Sequence, residues 1–171
     1  STAEGLFVCE DSQLTRIREP FAGPRAIRAL LEGIDGNLWL ATRDGQVLRH
    51  DSAGFQLMRQ LDAELWGNLC LDPSGRLWVG TYGSGLFVYD PTRFRLFGKA
   101  QGLPASGINC LAEDKAGTLW IGTQAGLAGY DGQTFQRLPG SGNLVGRQIG
   151  SLRVDNRQQL WIGTLDGHLF L

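Results

Sequence analysis

Two histidines, His50 and His168, are the only imidazoles in this sequence, and neither has a partner at a spacing that acid–base or metal chemistry uses. Two adjacent carboxylate pairs, Glu10–Asp11 and Glu113–Asp114, offer general acid–base groups. Asp114 is better read as a turn residue, which leaves Glu113 as a solvated strand-end side chain. Cys9, Cys70 and Cys110 form no CxxC and no metal-ligand spacing, and are read as buried free thiols. The Asp-x-x-Gly turns are too poor in oxygen ligands for an EF-hand. The glycine-rich TYGSG, Thr81 to Gly85, runs into a strand and so lacks the helix N-terminus that phosphate cradles exploit. This reading assigns no catalytic residue, no metal site and no cofactor.

What remains is a frame for binding. The chain has 171 residues, 42% hydrophobic and 19% charged, with a formal net charge of −1. That is a soluble globular composition with no electrostatic footprint for nucleic acid or anionic membrane. No apolar run approaches the ~18 residues of a membrane span, and no signal peptide opens the sequence.

The elements that position the side chains follow from a repeat. DGNLWLATRDG from Asp35, SGRLWVGTYGSGLFVYD from Ser74, AGTLWIGTQAGLAGYD from Ala116 and RQQLWIGTLDGHLF from Arg157 align directly. Their tryptophans, Trp39, Trp78, Trp120 and Trp161, lie 39, 42 and 41 residues apart. STAEGLFV, Ser1 to Val8, matches the part of the repeat just after the tryptophan. A period near 40 with one Trp per repeat means propeller blades or helical arrays. Each repeat holds four short apolar runs punctuated by Gly and Asp, and 25 glycines would oppose helices. The fold expected is all-β: a β-propeller of four-stranded antiparallel blades, about four repeats, belonging to a larger propeller.

The recurring residues have physical tasks. Asp72, Asp114 and Asp155 stand six before their tryptophans, where a carboxylate accepts turn N–H groups. Gly36, Gly75 and Gly117 stand three before, where a hairpin needs positive φ. Gln158 in that place predicts a less regular turn. The four tryptophans are expected to be buried between blades. Thr42, Thr81, Thr123 and Thr164, with Thr2, close second strands and bond nearby backbone. Ala29, Asn68, Cys110 and Ser151 are small first-strand residues suited to strands that converge on an axis. His50 ends a third strand and His168 is placed inside one.

The segment GLPASGINCLAEDKAGTLWIGTQAGLAGYD, Gly102 to Asp131, resembles the two-component regulator propeller repeat, and repetition extends that resemblance over the chain. Departures are Ala41 for Gly, His50 where Asp90 and Asp131 stand, and His168 for Leu. The resemblance implies a single propeller segment over 1–171, with repeats at about 1–24, 25–64, 65–106, 107–147 and 148–171, the first and last partial. It also implies a non-catalytic, periplasmic or extracytoplasmic sensor domain of a sensor kinase, hybrid two-component regulator or diguanylate cyclase. The alternatives are a protein–protein scaffold or a lyase of the virginiamycin-inactivating type.

Propellers present ligands on loops between strands two and three and on blade connections. The first set holds Arg43, Asp44, Tyr82, Gln124 and Asp166; the second holds Arg25, Trp66 and Arg147. Trp66 stands where other repeats carry Ile27, Ile108 and Ile149, and a Trp there suits stacking on a saccharide. The partners expected are such a small ligand and further propeller repeats or a second copy of the chain, because the sequence begins and ends inside repeats.

Overall fold

The computed structural model describes residues 6–10, 12–17, 26–90, 92–136, 138 and 141–171, with only the backbone of Glu10, Leu14, Trp66, Gly67 and Ser141. Among these residues the regular structure is strand, apart from 3-10 turns at Lys99–Gln101 and Ser141–Leu144. No helix among them is long and apolar enough to cross a membrane. The chain forms two compact units, Ser1–Gly67 and Asn68–Leu171.

The first unit holds two antiparallel sheets. Strands β1 (Phe7–Glu10) and β2 (Gln13–Arg16) pair as a hairpin. Strands β3 (Ile27–Glu32), β4 (Leu38–Thr42), β5 (Gln46–Asp51) and β6 (Gly54–Gln60) form a four-stranded meander in sequence order. Leu6 from the hairpin packs on Ile27, Leu40 and Leu48 of the meander, all buried.

A second meander contains β7 (Leu65–Leu71), β8 (Leu77–Thr81), β9 (Leu86–Asp90) and β10 (Arg93–Phe97). A third contains β11 (Ile108–Glu113), β12 (Leu119–Thr123), β13 (Gly126–Tyr130) and β14 (Phe135–Gln136). The last is three-stranded: β15 (Ile149–Val154), β16 (Leu160–Thr164) and β17 (Leu169–Phe170). Successive sheets of the second unit stack face to face. Trp78, Leu86 and Val88 bury against Ile108, Leu119, Ile121 and Tyr130 of the next sheet. Leu127 in turn buries against Ile149 and Ile162, with Trp120 at the cluster margin.

Close approach at these seams depends on one glycine per sheet. A Cβ on Gly80 would meet Ile108 at 2.8 Å, and one on Gly122 would meet Ile149 at 2.7 Å. Each glycine is a notch for the first isoleucine of the following sheet. The small first-strand residues fit the same geometry, since Cys110 pairs with Gly122 and Ser151 with Gly163. Two side-chain amides bridge the seams: Asn68 Nδ2 donates to the Ile108 carbonyl and Asn109 Nδ2 to that of Ile149, each at 2.9 Å.

The turn joining the first and second strands closes in the same way four times. Gly33 N donates to Asn37 O, Asp72 N to Arg76 O, Asp114 N to Thr118 O and Asp155 N to Gln159 O, at 2.7 to 3.1 Å. Gly36, Gly75 and Gly117 have φ of 73°, 76° and 82°. Gln158 takes the same left-handed conformation at φ 64°, so its turn is as regular as the others, contrary to expectation. Two bonds hold it there: Gln158 Oε1 accepts from Lys115 N at 2.9 Å, and Gln158 Nε2 donates to Asp155 O at 3.3 Å.

Each turn aspartate also accepts the indole N–H of its tryptophan. Trp78 Nε1 lies 2.9 Å from Asp72 Oδ2, Trp120 Nε1 3.0 Å from Asp114 Oδ2, and Trp161 Nε1 2.9 Å from Asp155 Oδ2. Burial of the tryptophans is less uniform than expected. Trp39 and Trp78 are buried, Trp120 is half-buried, and Trp161 is 37% exposed. Trp161 belongs to the last sheet of the second unit.

Candidate functional site

The loops between second and third strands are built alike. Buried threonines anchor them: Thr81 Oγ1 donates to Gly85 O at 2.7 Å, and Thr123 Oγ1 to Gly126 O at 2.8 Å. Thr42 Oγ1 donates to Asp44 Oδ1 at 2.7 Å, while Thr164 Oγ1 donates to Asp166 Oδ1. The next residue ties each loop to the start of its sheet's first strand. Arg43 N donates to Ala26 O, Gln124 N to Gly107 O and Leu165 N to Gln148 O, at 2.8 to 3.0 Å. Arg43, Gln124 and Leu165 are therefore held at the same end of their respective sheets.

In the first unit, Arg43 turns to the connection and pairs with Glu64, Nε to Oε1 2.5 Å. Asp44 is fixed by Thr42 in the same turn. Arg25 and the side chain of Trp66 lie outside the described residues. The isoleucines at the position of Trp66 in other sheets, Ile27, Ile108 and Ile149, are all buried. Thr2 and Asp11 likewise lie outside the description.

In the second unit, Tyr82 is 46% exposed, and its carbonyl accepts from Gln124 Nε2 at 3.4 Å. The two proposed loop residues are neighbours on adjacent sheets. Arg147 and Asp166 also meet. Arg147 Nη1 pairs with Asp166 Oδ2, and its Nε donates to Asn143 O at 2.8 Å. His168 completes this group, its Nδ1 lying 3.2 Å from Asp166 Oδ1 and 3.3 Å from Arg147 Nη1. His168 lies just before β17, not inside a strand, and it has partners that no histidine spacing revealed. The Asp-x-His pattern in the loop was the available signal. The hydrogen bond from Thr164, then that from His168, holds the Asp166 carboxyl below the usual carboxylate range. An open apolar cavity of about 260 Å³ lies between these two pairs in sequence, lined by Pro104, Ala125, Leu127, Leu144 and Val145.

The remaining chemistry-bearing residues divide differently. Burial pushes the Cys70 and Cys110 thiols up to about 12, so both stay protonated and weakly nucleophilic at neutral pH. Cys9 is exposed, against expectation, because it lies on the two-stranded hairpin. His50 is the penultimate residue of β5 and packs on Phe55, ring centroids 4.4 Å apart. Glu113 is not a solvated strand end: it is partly buried, and one carboxyl oxygen is sealed from solvent without a hydrogen-bond partner. Among the described residues, no group of three or more His, Cys, Asp or Glu is arranged to hold a metal ion.

Antiparallel four-stranded meanders, notched by glycine and stacked on repeat tryptophans, are the blades of a β-propeller. Residues 61–83 and 102–125 each match the family model described as two component regulator propeller. No curated protein matches the chain. Among solved structures, the extracellular domain of BT4673, from a candidate hybrid two component system of B. thetaiotaomicron, is similar at TM-score 0.75 and 22% identity. That likeness covers 98% of this chain and 25% of the other. The corresponding domain of BT3049 gives TM-score 0.65 and 24% identity over 88% of this chain and 22% of that one. A catalytically inactive variant of virginiamycin B lyase from Staphylococcus aureus, with quinupristin, gives TM-score 0.65 and 16% identity. It is covered to 59%, and this chain to 94%. The chain thus spans about a quarter of the extracellular domains that it resembles.

Proposed function

We propose that this chain is a non-catalytic ligand-recognition segment of an extracytoplasmic sensor propeller in a bacterial signal-transduction protein. The observation that carries this reading is the pair of two component regulator propeller matches, on repeats whose loops present polar side chains from a rigid frame. The likeness to extracellular domains of candidate two component systems supports both the signalling class and a periplasmic location. The ligand class is a polyol or small saccharide, met by Tyr82, Gln124, Arg147 and Asp166 in the second unit.

Titration with glucose, cellobiose and lactose, followed by tryptophan fluorescence, tests the reading on the native chain and on Tyr82→Ala/Gln124→Ala. Saturable binding weakened about tenfold or more in the variant supports it. Equal binding by both removes Tyr82 and Gln124 from the site, and no saturable response to any of the three sugars removes the saccharide.

A docking scaffold is the second reading, favoured by the exposed apolar side chains of Trp161 and Leu169 in the last sheet and of Leu171 just after it. Its partner is another propeller repeat or a second copy of the chain. A concentration-independent monomer in light scattering would rule out the second copy.

A further inference from the structure

The seam between the β7–β10 and β11–β14 sheets is apolar along most of its depth, where Trp78, Ile108 and Leu119 share one buried cluster. It changes character where β7 runs into its turn and β11 ends. Asp72, only 4% exposed, accepts from Ser74 N and Arg76 N at 3.0 Å each, from Trp78 Nε1 at 2.9 Å and from Arg76 Nε at 2.6 Å. Asp114 is occupied by Thr118 N at 2.9 Å and Trp120 Nε1 at 3.0 Å. Glu113, which has Asp72, Asp114 and Arg76 as charged neighbours, has one oxygen sealed from water and no donor to meet it. Glu113 thus has two carboxylates and one guanidinium as neighbours, and that guanidinium is already committed to Asp72.

We propose that Glu113, with Asp72, Arg76 and Asp114 around it, is a proton-binding site in this seam, so that acidification tightens the packing of the two sheets and alkalinisation loosens it. The groups facing Glu113 are Asp72 and Arg76 from the β7–β8 turn, Cys70 from β7 and Asp114 from its own strand end. Burial pushes the Glu113 carboxyl up to about 7; Asp72 and Asp114 act in the same sense, and Arg76 opposes them. An unsatisfied, partly desolvated carboxylate beside two others is the arrangement that favours the neutral acid.

The sign follows from linkage. The folded chain holds the Glu113 proton up to about pH 7, whereas the unfolded chain releases it near 4.5. Between these values the folded state binds more protons, so stability falls as pH rises and the whole penalty is present above about 7. Rising pH leaves a third negative charge in the seam. The device needs no ligand at the loops, so it stands or falls separately from the saccharide reading.

The test is thermal melting of the native chain and of Glu113→Gln, which copies the neutral acid in shape, between pH 5 and 8. The variant is expected to match the native chain near pH 5 and to melt roughly 2–8 °C higher at pH 8. A carboxyl ¹³C NMR titration of Glu113 should show a midpoint near 7. Parallel melting curves for the two proteins, or a midpoint near 4.5, would overturn the proposal.

Discussion

The β7–β10 sheet and the β15–β17 sheet carry the same LW-x-GT strand, the same turn and the same indole-to-aspartate bond, yet Trp78 is 1% exposed and Trp161 is 37% exposed. The hydrogen bond is therefore a property of the single sheet, formed within six residues of chain. Burial is a property of the neighbour, because the outer face of β7–β10 is covered by Ile108 and Leu119 of the next sheet. Local geometry and stacking energy are separable in this repeat, and the two sheets let each be measured alone.

The widest separation is expected at the tryptophans. Trp78→Ala should lose ~3–5 kcal/mol, as for a large side chain removed from a closed core. Trp161→Ala, at a side chain more than a third exposed, should lose roughly 1 kcal/mol or less. Equal losses in denaturant unfolding would show that the indole bond, and not the stacking, stabilises the sheet.

The glycine notches come next. Gly122→Ala places a methyl 2.7 Å from Ile149 and should cost ~1–3 kcal/mol by overpacking. Gly163→Ala meets only the Ser151 hydroxyl at 2.4 Å, a side chain free to rotate, so roughly 0.5 kcal/mol or less is expected. Urea midpoints of the two variants decide this, and a Gly163 variant as damaged as the Gly122 variant would mean that the notch serves its own sheet.

The turn aspartates sharpen the same contrast through pH. The hydrogen bond from Trp161 holds the Asp155 carboxyl below its ordinary value of 3.8, with Gln159 N acting in the same sense. Stability from that bond is complete above 3.8 and is lost as pH falls through the lower folded value. Asp155→Asn, which copies the neutral acid, should therefore melt below the native chain at neutral pH and converge on it below about pH 4, flattening the acid limb. An unchanged acid limb would place the low carboxyl elsewhere.

The smallest effect is expected at Gln158. Replacing it by Gly relieves a left-handed φ worth ~1–2 kcal/mol but sacrifices the bond from Lys115 N and the longer, exposed one to Asp155 O. A net gain of about 0.5 kcal/mol should remain, read as a small rise in the urea midpoint. A loss larger than ~1 kcal/mol would mean that the Lys115 contact, not turn strain, governs that position.

The blades were legible because their determinants are local and recur. One Trp, one Thr and one turn Asp per period of about 40 announce themselves, and Gly75 and Gly117 took up the φ that their turns require. What escaped the sequence depends on neighbours. Trp161 reads like Trp78 until one asks what covers it. Glu113 looks like surface until Asp72, 41 residues earlier, is brought against it by stacking. Asp166 and Arg147 stand in the sequence as separate loop residues, and His168, their common neighbour, has no histidine partner at a useful spacing to mark it. Gln158 looked irregular because its type was judged without the two hydrogen bonds that hold it.

The notch and its isoleucine have a genetic consequence. Gly80 receives Ile108 and Gly122 receives Ile149 in the same way, so the two seams are interchangeable parts. Gain or loss of one whole period of coding sequence between these two seams would leave each with a matching knob and hole, so array length can change there by recombination between copies. An insertion of a few residues inside a strand enjoys no such tolerance, since it shifts the isoleucine off its glycine and turns the buried face outward. Variation between relatives should therefore concentrate in copy number and in the loops, while the strands that carry these paired positions keep their length.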